Sequence, residues 1–162
     1  MAAGDNPEDL AALASYGAAL ADGVERALPG WVADRIVERA AAWDPAVAAG
    51  LGPQAEAAGV AATLDVVPAL RLLLSTDVDE QRAGPLEVLR RAVPHATAVL
   101  VGVGVPEVAR DEVRQRLFPD DRYDLSPASF VELGPEVAEA GIAWGAAKAH
   151  VVLARRRAEG RR

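Results

Sequence analysis

His95 and His150 are the chain's two histidines, and their neighbours decide what metal chemistry is open to it. The Glu-x-x-His signature of diiron helical bundles needs Glu three residues earlier. Positions 92 and 147 are both Ala. The helical zinc motif His-Glu-x-x-His does not occur, and a lone imidazole is a poor metal site. There is no cysteine, which removes thiolate-bound zinc, iron–sulfur clusters and a thiol nucleophile. Gly-x-Ser-x-Gly is missing, so no nucleophile elbow is expected. The one lysine, Lys148, follows Ala147, where a P-loop has Gly. Gly102-Val103-Gly104 is half of a dinucleotide fingerprint, but Glu107 replaces the third glycine and would repel a pyrophosphate. Asp77-Val78-Asp79-Glu80 lacks the central Gly and further ligands of a calcium loop, and reads as a solvated loop or cap. The expectation is no catalytic residue, no metal and no cofactor.

One stretch differs in kind: Leu117-Phe118-Pro119-Asp120-Asp121-Arg122-Tyr123-Asp124-Leu125-Ser126-Pro127. It holds one of two Phe and one of two Tyr, with three carboxylates and an Arg between prolines. Phe118 and Tyr123 could anchor a partner protein while Asp120, Asp121, Arg122 and Asp124 orient it. Those six residues form the candidate partner-binding set. Asp120, Asp121 and Asp124 could instead serve an enzyme as acid and base. The plainest reading has the two rings plug the core edge while the acids stay wet.

A second surface is the final helix. Gly141, Gly145 and Ala149 recur every four residues and leave a flat stripe beside Trp144, Lys148 and His150. Such a stripe serves tight packing within the fold or a homodimer face. His150 reads as structural, with no metal partner in sequence.

Net charge is −7, but residues 155–162 carry five arginines against one glutamate. The acidic remainder disfavours phosphate backbones and anionic lipid. Arg155, Arg156, Arg157, Arg161 and Arg162 are the candidate nucleic-acid contacts, weighed against a helix that ends in arginines because they suit its negative pole. The opening residues MAAGDNPEDL have neither a cationic nor an apolar leader segment, and the longest uncharged run, Ala92–Pro106, has 15 residues. That is short of a bilayer span. No membrane contact and a cytoplasmic location are the expectations.

The elements that must position these groups are helical. Asn6-Pro7-Glu8-Asp9 is an N-cap, a Pro at the first helical position and acids in the first turn. Leu10, Leu13, Gly17, Leu20, Val24 and Leu28 then follow on one stripe. Leu28-Pro29-Gly30 is expected to stop this helix, with a second one running to Trp43 and burying Val32, Ile36, Ala40 and Trp43. A short helix at Pro45–Gly50 and a longer one from Gly52-Pro53, kinked at Pro68, come next. Its Leu70–Leu74 stretch is expected in the core. Gly84-Pro85 starts another helix, interrupted at Pro94. Ala98–Val105 is Val-rich, yet no second strand exists to pair with it, so helix to about Val103 is expected. Pro106–Leu117 reads as a helix with Val108, Val113 and Leu117 inward. Ser126-Pro127 opens a short helix to about Leu133. Gly134-Pro135 opens the last, broken at Gly141 and ending near Arg157.

Together these predict an all-α fold: residues 1–162 as a single compact irregular bundle of about six to eight helices, several started or kinked by Pro. Residues 155–162 are its basic C-terminal tail.

From Leu74 onward, LSTDVDEQRAGPLEVLRRAV, VPEVARDEVRQRLFPDDRYDLSPASF and GIAWGAAKAHVVLARRR resemble a family of short uncharacterised actinobacterial proteins. The resemblance covers 74–162, implies a cytoplasmic bacterial protein and carries over no functional residue. The functional expectation is a non-enzymatic helical module that binds a protein or regulates one. A nucleic-acid or ribosome-associated factor acting through the arginine tail is the first alternative, and an enzyme using the 120–124 carboxylates the second.

Overall fold

The computed structural model describes residues 4–161, and no strand occurs among them. The fold is all-α. Helix α1 (Pro7–Trp43) is the spine; α2 (Pro45–Ala49), α3 (Gly52–Ser75), α4 (Pro85–Leu89), α5 (Val93–Gly102), α6 (Glu112–Leu117) and α7 (Pro135–Glu159) follow. Two 3-10 turns, Arg90–Ala92 and Phe130–Leu133, complete the order.

Local chemistry sets the helix starts. The Asn6 side chain accepts the Glu8 N–H at 3.0 Å and Pro7 begins α1. Asp44 ends α1 and caps α2 by accepting the Ala46 N–H at 3.0 Å. Leu20, Val24, Leu28, Val32, Ile36 and Ala40 of α1 are fully buried. They face α3 on one side and α7 on another, with α5 also in contact. One apolar cluster runs through α1, α3, α4, α5, the 123–133 segment and α7.

The expected break at Pro29 is absent, and α1 runs on to Trp43. An internal proline removes a helix hydrogen bond and crowds the previous turn, at a cost of about 3 kcal/mol. Packing offsets it here: Leu28 and Val32 on either side are buried, and α3 closes on the proline itself. Gly59 makes that approach possible, because a Cβ there would lie 2.3 Å from the Pro29 carbonyl oxygen. Trp43, expected inside, is half exposed at the helix end.

Other expectations need correction. Helix α3 runs through Pro68 as one element, as expected, but only Leu70 of Leu70–Leu74 is buried; Leu72 faces out. By length and composition α3 is apolar enough to cross a bilayer, with a third of its most apolar window buried in this fold. Pro106–Asp111 is not helical, α6 is short, and its Val113 and Leu117 are exposed rather than inward. Only Phe130–Leu133 of the expected 126–133 helix forms, as a 3-10 turn. Helix α7 is unbroken at Gly141.

Ala98–Gly102 is helical, as its lack of a pairing strand required. Gly104 at φ +80° closes α5, and the Val105 N–H returns to the Leu100 carbonyl at 3.0 Å. This is the left-handed glycine ending that satisfies a helix's last carbonyls.

Candidate functional site

The segment with the unusual composition is held in one conformation by buried polar bonds. The Tyr123 ring is in the core, and its hydroxyl donates to the Val105 carbonyl at 2.6 Å. The buried Asp121 carboxylate accepts the N–H groups of Leu125 at 2.7 Å and Ser126 at 2.8 Å. Arg39 reaches from α1 to the carbonyls of Tyr123 and Asp124 at 2.8 and 3.0 Å. Asp124 has φ +53° and pairs with Arg114 at 2.5 Å. Asp tolerates the left-handed region better than most residues, and the bonds around it fix it there.

These bonds sort the candidate partner-binding residues. Tyr123 is interior and away from any partner, whereas Asp121, also buried, borders a groove beside α5 with both oxygens already accepting backbone N–H groups. Asp124 is half-buried, tied to Arg114. Phe118, Asp120 and Arg122 remain, and all three line the wall of the same groove, of about 750 Å³. Among the carboxylates, Asp121 is spent on backbone N–H groups, Asp124 on an arginine, and Asp120 points into solvent. They do not converge as an acid–base pair.

The opposite wall is α5: Val93, Pro94, Thr97, Ala98 and Val101. The groove is therefore mostly carbon, bounded by Leu117, Phe118 and Pro119 across from α5. Two guanidiniums stand over the Phe118 ring, Arg90 at 4.8 Å and Arg114 at 5.2 Å from its centre. Cations over a ring face are attracted by its quadrupole, which keeps this wall upright. Each guanidinium at the mouth already has a carboxylate: Arg90 with Glu87 at 3.6 Å, Arg91 with Asp65 at 3.0 Å, Arg122 with Glu107 at 3.4 Å. One polar atom of the lining is unmatched. The Thr97 hydroxyl oxygen is shielded from water and has no hydrogen-bond partner among the described residues.

The α5 wall is what sequence reasoning missed. Its usable sign was the run Ala98–Val103, which carries apolar residues on more than one side of a helix; such a helix needs cover on more than one face.

The histidines are engaged separately. His95 Nε2 meets Asp65 Oδ2 at 3.0 Å, while Arg91 holds the other oxygen. The His95 bond, with Arg91 beside it, holds the Asp65 carboxyl below its ordinary range. His150 Nε2 meets Asp9 Oδ2 at 3.1 Å, tying α7 to α1. No cluster of three or more metal-ligating side chains able to hold an ion is found among the described residues.

The arginine tail is also reassigned in part. Arg155 is buried, its side chain only 5% exposed, and all five of its N–H donors point at carboxylates. Asp5 takes two, Asp77 two and Asp79 one. Asp77 and Asp79 are thus a clamp on α7 rather than a free solvated loop, and Arg155 is not available to a phosphate. Arg156, Arg157 and Arg161 are exposed; Arg162 lies outside the described residues.

Within the last helix, Gly141 is accounted for inside the chain, since a Cβ there would lie 2.6 Å from the Phe130 ring. Gly145 and Ala149 are exposed. Comparison with known proteins finds no matching family, no matching curated protein and no matching solved structure.

Proposed function

We propose that this chain is a non-enzymatic binding module that receives an apolar segment of a partner protein between α5 and the Leu117–Arg122 segment. The observation that carries the reading is the groove itself. It is about 750 Å³, walled by carbon and braced from behind by buried hydrogen bonds of Tyr123 and Asp121. That volume lies in the range of ligand sites, roughly 300–1,000 Å³. A rigid wall lowers the ordering cost of binding.

The apolar surface continues past the groove. Val101 is 48% and Leu117 61% exposed at its lips, so an occupant that covers them extends along the surface as a peptide does. The mouth's guanidiniums are matched by their own carboxylates, which favours an uncharged insert over an anion.

Panning a displayed random-peptide library against the chain, followed by calorimetry, tests this reading. Enriched peptides are expected to carry large apolar side chains and to lose binding to Ala98→Trp, which fills the groove, and to Val101→Glu. Failure to enrich any sequence, or equal binding to both variants, would overturn it.

A further inference from the structure

We propose that α7 pairs antiparallel with the α7 of a second copy of this chain. The outer side of α7 carries Glu139, Ile142, Ala146, Ala149, Leu153 and Arg156, at steps of 3, 4, 3, 4 and 3. All six are exposed, Ile142 at 74% and Leu153 at 48%. Helix α1 and the Phe130–Leu133 turn also pack on α7, and Ala146 stands at the rim of the shallow groove between α7 and α1, beside Ala12 and Tyr16.

The spacing reads the same in both directions. A two-fold axis midway between Ala146 and Ala149 therefore sets Ile142 against Leu153 of the second copy, and Ala146 against its Ala149. It also sets Glu139 against Arg156, at both ends of the contact. Among the described residues, neither of those two charged side chains has a hydrogen bond or ion pair of its own. The face is thus complementary to itself in shape, with large residues outside and small ones at the crossing, and complementary to itself in charge.

Alanines at the centre allow the helix axes to approach to about 8 Å. The contact spans roughly 27 Å of helix. A single helix pair of this length makes a small interface, at the low end of specific contacts, so association is sought at micromolar and higher chain concentrations. The groove against α5 is built from other elements, so this inference stands apart from the partner-binding reading.

Sedimentation equilibrium of the full chain, from micromolar to hundreds of micromolar, tests the pairing. Wild type is expected to dimerise and Ile142→Glu to remain monomeric with unchanged helicity, since Ile142 is exposed. Glu139→Arg and Arg156→Glu each remove both copies of an exposed ion pair and should weaken association at least roughly fivefold, and the double variant should restore it. The chain has no cysteine, so the double variant Ala146→Cys/Ala149→Cys, which sets each cysteine against the other one of the second copy, should give a disulfide-linked dimer on oxidation, and Leu64→Cys, on exposed α3, should not. A monomer throughout overturns the proposal. So does a dimer indifferent to Ile142→Glu, a dimer lost in Leu64→Glu, equal cross-linking of the two cysteine variants, or a monomer that binds phosphatidylcholine vesicles through Ile142.

Discussion

Arg155 and Asp77 are joined side by side, Nη1 to Oδ1 at 2.6 Å and Nη2 to Oδ2 at 2.9 Å, although 78 residues separate them in sequence. The same guanidinium holds Asp5 and Asp79, so one side chain fastens the N-terminal segment, the α3–α4 connection and the end of α7. The Asp5 carboxylate is almost fully buried, with 1% exposure. Arg155→Ala would leave it without this partner in a dry site, a change that costs about 3–5 kcal/mol when a buried pair is broken. Arg155→Lys keeps the charge but not the planar five-donor fork, and its urea midpoint should lie nearer to the alanine variant than to wild type. An alanine variant within about 1 kcal/mol of wild type would contradict this account of the clamp.

The clamp also predicts a pH response. Arg155 chiefly, helped by the Asp79 N–H, lowers the Asp77 carboxyl from an ordinary 3.8 to about 2. A carboxyl with a depressed folded-state value stabilises the fold fully above its unfolded value and loses that contribution as protons bind. The loss therefore falls between about pH 4 and pH 2. Urea midpoints measured across that window should drop more steeply for wild type than for Asp77→Asn. Parallel curves would show that Asp77 titrates alike in folded and unfolded chains.

Two glycines should respond oppositely to alanine. At Gly59 a methyl group would meet the Pro29 carbonyl at 2.3 Å, so α1 and α3 must part. Overpacking of this kind costs about 1–3 kcal/mol. At Gly30, helical and with nothing within 4 Å of a Cβ, alanine should stabilise by about 0.5–1 kcal/mol by restricting the unfolded chain. Thermal melts of the two variants should move in opposite directions.

Pro29 and Gly30 also mark where sequence reading reached its limit. The helix starts at Pro7, Pro45, Pro85 and Pro135 were legible because caps and prolines act within a turn of chain. The passage of α1 through Pro29 was not, because Gly59, thirty residues away, supplies the offsetting contact. The Phe118–Asp124 segment was legible as unusual from its rings, acids and prolines. Its division into core members and groove members was not, since Tyr123 and Phe118 differ only in what folds against them. Arg155 was hidden in a run of like residues; only the meeting of Asp5, Asp77 and Asp79 distinguishes it from Arg156 and Arg157.

That division between Tyr123 and Phe118 can be measured directly. Tyr123→Phe removes a buried donor and leaves the Val105 carbonyl without its 2.6 Å partner, at a cost of about 1–3 kcal/mol. The two Asp121 bonds still brace the groove side of the segment, so wild-type affinity for a neutral apolar probe such as N-phenyl-1-naphthylamine should persist wherever the variant is folded. Phe118→Ala takes away a half-buried ring that forms the groove wall and holds two guanidiniums. It should cost about 1 kcal/mol or less in stability, since little of the core depends on it, and weaken probe binding about tenfold. The two variants thus have opposite signatures in one pair of titrations, urea and probe. Loss of probe affinity in Tyr123→Phe with Phe118→Ala unaffected would place the binding surface on the other side of the segment.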